Sequence, residues 1–140
     1  MNYTNQKLNE FNEYIRYRKV AIIGLGVSNL PLLDYLYEKK ANVTVFDERE
    51  YDKIPKDIID KITKYGFILH LGNDCLQYLK NFNVIFRSPS CLPTKPELVE
   101  EANRGALVTT EVELLMEMCP AKIIGVTGSD GKTTTTTLIA

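Results

Sequence analysis

Two stretches of this 140-residue sequence set glycine, hydroxyl and charged residues where an apolar strand gives way to a helix. The first is Gly24-Leu25-Gly26-Val27-Ser28-Asn29, following the β-branched run Lys19 to Ile23. The second is Val126-Thr127-Gly128-Ser129-Asp130-Gly131-Lys132-Thr133-Thr134, following Lys122 to Val126. The chemistry this pattern suits is anion binding, because a helix N-terminus carries amides without intrahelical partners and a positive partial charge. Glycine lets the backbone approach the anion. One charge–dipole contact contributes about 0.3–1 kcal/mol when exposed and up to ~2 kcal/mol when partly buried, so several amides must act together.

The first loop is a dinucleotide-type fingerprint whose third glycine is Asn29, and Asp47 ends the next strand, where an acidic group faces a ribose or a base. A tight strand-to-helix turn without a ligand is the alternative. The second loop ends in Gly-Lys-Thr, as a nucleoside triphosphate cradle demands, although the Walker spacing asks for glycine where Val126 stands. Gly128 and Gly131 frame a shorter turn that sets Lys132 toward the β and γ phosphates and the Thr133 hydroxyl toward Mg2+. A Gly/Ser turn with a solvated lysine is the alternative here.

The elements that must position these loops follow from periodicity. Short β-branched runs alternate with amphipathic helical segments, which predicts an α/β fold: a Rossmann-like, mostly parallel sheet with helices on both faces. Leu8, Phe11 and Ile15 predict a helix before the first strand, and Leu30, Leu33, Leu36 and Tyr37 give the apolar face of a helix over 27–39. Strands are expected at 42–46, 67–69, 83–86 and 107–108, with helices around Ile58 to Tyr65, Leu76 to Leu79, and Pro96 to Arg104. A helix from Val112 to Met118 closes at Pro120, and a buried strand is expected over 122–126. The domain reading is 1–109 for the Rossmann-like unit and 110–140 for the start of a second, P-loop unit.

Composition narrows the function classes. With 17 Lys plus Arg against 18 Asp plus Glu the formal charge is −1, so no global field would hold the chain on nucleic acid or an anionic membrane. No apolar run approaches the roughly 18 residues that span a bilayer, and the N-terminus lacks an export pattern, which points to the cytoplasm. Cys75, Cys91 and Cys119 have no CxxC spacing and read as free thiols, while His70, the single histidine, reads as a strand-end residue rather than a metal ligand.

Gly24 to Ser28, Asp47-Glu48-Arg49, Ser88-Pro89-Ser90, Thr110-Glu111-Val112-Glu113-Leu114 and the phosphate loop to Thr134 together resemble the Mur ligases of bacterial peptidoglycan synthesis. The likeness runs from Lys19 onward, over about the first third of such an enzyme, and is greatest to the members that add D-glutamate. It implies that Gly26, Val27 and Ser28 bind the diphosphate of a UDP-sugar, that Asp47, Glu48 and Arg49 surround the uracil, and that Ser88, Pro89 and Ser90 complete the site. Gly128, Ser129, Asp130, Gly131, Lys132, Thr133 and Thr134 would bind ATP, with Thr133 on Mg2+ and with Lys132 and Thr133 as the catalytic pair. Ser90 and Asp130 stand where the family has glycine and asparagine. The implied reaction joins D-glutamate to UDP-N-acetylmuramoyl-L-alanine through an acyl phosphate at the expense of ATP.

The resemblance further implies a monomeric parent enzyme whose remaining machinery lies beyond Ala140, so that this chain binds UDP without turnover. The last helix, at about nine residues and roughly 13 Å, needs something to pack against. Ile123, Ile124 and Leu138 are therefore expected to dock on the first domain or on another copy. Rival readings are an L-alanine-adding Mur ligase, a nicotinamide-dependent dehydrogenase domain, and a non-catalytic nucleotide-sensing module.

Overall fold

The computed structural model describes residues 4–128 and 131–139, apart from the side chains of Thr133 and Thr135. Five strands form one parallel sheet: β1 (Lys19–Ile23), β2 (Asn42–Asp47), β3 (Ile68–Leu71), β4 (Val84–Arg87) and β5 (Leu107–Thr109), in the order β3-β2-β1-β4-β5. Among the described residues six α-helices accompany them: α1 (Gln6–Ile15), α2 (Leu30–Glu38), α3 (Lys56–Tyr65), α4 (Pro96–Asn103), α5 (Glu111–Met118) and α6 (Lys132–Ile139). The expected Rossmann-like sheet with helices on both faces is present.

Successive strand residues point to opposite faces, so strands buried on both sides read as continuous apolar runs. Val20 and Ile22 of β1 face one layer, where they meet Phe11 and Ile15 of α1, Leu33 and Leu36 of α2, Ile59 and Ile62 of α3, and Leu114 of α5. Ala21 and Ile23 face the other, with Phe46, Ile85, Leu76, Phe82 and Leu98. Both layers are closed to water, and burying each large aliphatic or aromatic side chain contributes about 1.5–3 kcal/mol. A buried carboxylate, Glu101, is retained in the second layer because it accepts from the Phe82 amide at 3.0 Å and from Arg104 at 2.9 Å.

Register fixes what meets at the C-terminal edge. Ile23 lies opposite Phe46 on one side and Arg87 on the other, which brings Gly24, Asp47 and Ser88 to the same level. Local chemistry ends the elements where the sequence suggests: Gly66 closes α3 at φ 71°, and Thr110 and Glu113 form a reciprocal capping box at the start of α5.

Several expectations need correction. Helix α2 begins at Leu30, not Val27, because the Asn29 and Leu30 amides both fold back onto the Gly26 carbonyl in a turn that precedes it. The segment around Leu76 is a single 3-10 turn, Cys75–Tyr78. The strand expected over 122–126 is not formed: 122–128 has no regular structure, and Ile123 and Ile124 are exposed. A strand exists through its ladder, and this segment pairs with none of the five described strands, so apolar content alone does not make it one. Among the described residues, docking of this segment or of α6 on the first domain is likewise not observed, Ile124 and Leu138 being 62% and 82% exposed.

Candidate functional site

In a parallel sheet of this order the connections from β1 and β4 leave in opposite directions, and a crevice opens between them beyond the strand ends. It measures about 440 Å³, within the range typical of small-ligand sites. The glycine loop after β1 forms one wall, 47–49 after β2 a second, and the loop after β4 a third; Ile23, Phe46 and Leu76 form an apolar floor.

Gly24 is required here on two counts. Its φ of 87° lies in the left-handed region, and a Cβ at this position would come within 3.0 Å of both Cβ and Oγ of Ser88. The loops after β1 and β4 thus touch directly. Asn29, in the place of a third glycine, is almost fully buried and donates its amide to the carbonyls of Ile23 (3.0 Å) and Gly24 (2.9 Å), locking the turn onto the end of β1. Beyond Leu25, the amides of Gly26, Val27 and Ser28 have no hydrogen-bond acceptor among the described residues. Val27 is 88% exposed and forms, with Ser28, the outer turn of the loop rather than the crevice wall.

Asp47 is buried, and its carboxylate is saturated. Oδ2 accepts from the Leu25 amide at 2.7 Å and from Arg49 Nη2 at 3.0 Å; Oδ1 accepts from the Arg49 amide and from Nε, both at 2.9 Å. Burial alone would raise its pKa, but the Arg49 side chain and the Leu25 and Arg49 amides outweigh it and hold the carboxyl below the usual range. Arg49, raised in turn chiefly by its bond to Asp47, also donates to the Leu25 carbonyl at 3.2 Å. One ion pair therefore grips Leu25 at both its backbone groups and fixes the glycine loop against the end of β2.

Of the residues singled out from sequence, Gly26, Asp47, Glu48, Arg49, Ser88 and Ser90 line the crevice, with the Ser88 and Ser90 hydroxyls 3.1 Å apart; Pro89 is not on its wall. Sequence reasoning missed Cys75, Cys91 and Lys95. The thiols are pushed up by burial and are neutral floor groups rather than nucleophiles. Lys95 sits just before α4 and reaches across the mouth to Glu48, Nζ to Oε1 3.1 Å. The proline just after Lys95 could have placed it at a helix start beside the crevice loop, but its partner lies too far off in sequence to be read.

At the second loop Gly128 and Gly131 take φ of 148° and 77°, and α6 starts at Lys132. Lys132 and Thr134 thus lie in a helical first turn, while Ser129, Asp130 and the Thr133 side chain lie outside the described residues. Among the described residues no cluster of His, Cys, Asp or Glu could hold a metal ion.

The sheet order, with its reversal between β1 and β4, defines a Rossmann-like fold. Solved structures agree on the fold: a dipicolinate synthase chain from Bacillus halodurans overlays with a TM-score of 0.54 at 16% identity, covering 97% of this chain and 53% of that one. The nucleotide-binding domain of glutamyl-tRNA reductase from Thermoplasma volcanium gives 0.52 at 17% identity, covering 84% and 93%. Residues 18–110 match the family model of the Mur ligase MurD-like N-terminal domain, and the chain belongs to that family. Relatives include the UDP-N-acetylmuramoylalanine--D-glutamate ligases of Clostridium novyi, 44% identical over 131 residues, and Clostridium tetani, 44% identical over 135. These matches cover 94% and 96% of this chain but 28% and 29% of the relatives, so the chain spans less than a third of their length.

Proposed function

We propose that this chain binds the UDP moiety of UDP-N-acetylmuramoyl-L-alanine as the N-terminal part of a ligase that adds D-glutamate to it. The observation that carries this reading is the row of unpartnered amides at Gly26, Val27 and Ser28, beside a crevice whose adjoining wall is 47–49. A run of unpartnered N–H groups at a strand-to-helix turn suits a diphosphate. The uracil then lies toward Glu48 and Arg49, with Ser88 and Ser90 adding hydroxyls from the third wall. Asp47 works indirectly, since its four acceptor positions are spent on Leu25 and Arg49. That saturation also argues against a nicotinamide dinucleotide site, in which a free carboxylate at this place would take the ribose hydroxyls.

The second loop is proposed as the phosphate cradle for ATP. Positive φ at Gly131 and the helical first turn at Lys132 fit an anion on that side, with Lys132 and Thr133 stabilising charge on the transferring phosphoryl group. Mg2+, held through ATP and the Thr133 hydroxyl, would neutralise phosphate charge there. The activity proposed for the whole enzyme is ATP-dependent amide formation through an acyl phosphate, in the cytoplasm, and this chain by itself is expected to bind without turnover.

Calorimetric titration of the chain with UDP and with NADH tests the reading. Saturable UDP binding that Arg49→Ala weakens several-fold and Lys132→Ala leaves alone is the expected result. Binding of NADH without UDP reverses it.

A further inference from the structure

The charge balance of the crevice poses a problem for any diphosphate. Asp47 and Glu48 bring two negative charges to its wall and Arg49 and Lys95 two positive ones, so the lining is neutral as it stands. Arg49 is largely committed, because its Nε and Nη2 are bound to buried Asp47 and to the Leu25 carbonyl and its charge is matched by that carboxylate. Lys95 differs. Its partner Glu48 sits on the rim with 62% of its side chain exposed, and the Lys95 side chain is itself 37% exposed. Such a pair is weak and opens at little cost, since both ends can be taken up by water.

We propose that Lys95 is an anion-binding residue of this site, released from Glu48 to the ligand's diphosphate, and that the exchange makes the crevice select charged nucleotides over neutral nucleosides. The inference rests on the UDP reading above. An ammonium on a flexible four-carbon stem suits this exchange, because it can swing between two oxygen partners without rebuilding the wall. Glu48 is the competitor for that ammonium, so the two ends of one ion pair should have opposite effects on affinity.

The test is titration of the 140-residue chain and its variants with UDP and with uridine, at two salt concentrations. Lys95→Gln should weaken UDP about tenfold, the worth of one charge-assisted contact, flatten the salt dependence and leave uridine unchanged. Glu48→Gln should strengthen UDP by about twofold to fivefold. If both variants weaken UDP and uridine alike, the pair is a structural strap and the inference is overturned. UDP binding that Lys95→Gln leaves untouched overturns it as well, without touching the UDP reading. Failure of the unmodified chain to bind UDP overturns both.

Discussion

Asp47 illustrates how a residue whose place is legible in the sequence can hold partners that are not. Its place at the end of β2 is visible from the strand pattern, and a ligand-facing carboxylate is the natural expectation. What the sequence does not reveal is that Arg49, two residues on, turns back to bind it along with the Leu25 amide. The native carboxyl titrates below the unfolded value of about 3.9, so its stabilising contribution is complete above that value and is lost as pH falls through the native one. Asp47→Asn should cost about 2 kcal/mol near neutrality, less than a fully buried pair, because Arg49 is 42% exposed. Urea midpoints measured from pH 6 down to about pH 2 should fall less steeply for the variant than for the unmodified chain. Parallel curves would mean that Asp47 has no part in acid sensitivity.

At the scale of elements, β1 and β4 are the most readable strands because both layers bury them and their apolar runs are therefore uninterrupted. Two kinds of feature are not readable. The start of α2 depends on the Gly26 carbonyl capturing two amides, a choice of hydrogen bonds that the 3.6-residue periodicity of 27–39 does not register. The crossing of Lys95 to Glu48 depends on which loops share an end of the sheet, which is a property of strand order. The contact between the loops after β1 and β4 is of the same kind and can be tested. Gly24→Ala places a side chain at φ 87° and 3.0 Å from Ser88, so it should cost about 1–3 kcal/mol and displace the loop that carries Ser88 and Ser90. Guanidinium unfolding should register the loss, and UDP affinity should fall more than stability alone explains. Unaltered affinity would show that the third wall is not part of the site.

Over the whole molecule, the two glycine loops rest on unequal support. The first is tied to the core by Asn29, Asp47 and the Gly24–Ser88 contact, and packing continues through α5, where Leu114 enters the first apolar layer and Asn5 and Lys7 of the α1 region donate to the carbonyls of Met118 and Glu117. Past that point the described side chains find little to pack on: Ile123, Ile124, Leu138 and Ile139 are 43%, 62%, 82% and 56% exposed. Apolar content alone predicts a strand over 122–126, whereas a strand also needs a neighbour to pair with. A chain ending at Ala121 should therefore melt within about 2 °C of the full chain, the shift expected when only surface groups are lost. It should also bind UDP unchanged while losing any affinity for ATP. A larger drop in melting temperature would mean that 122–139 packs on the domain in solution, and a drop in UDP affinity would mean that the two loops build one site rather than two.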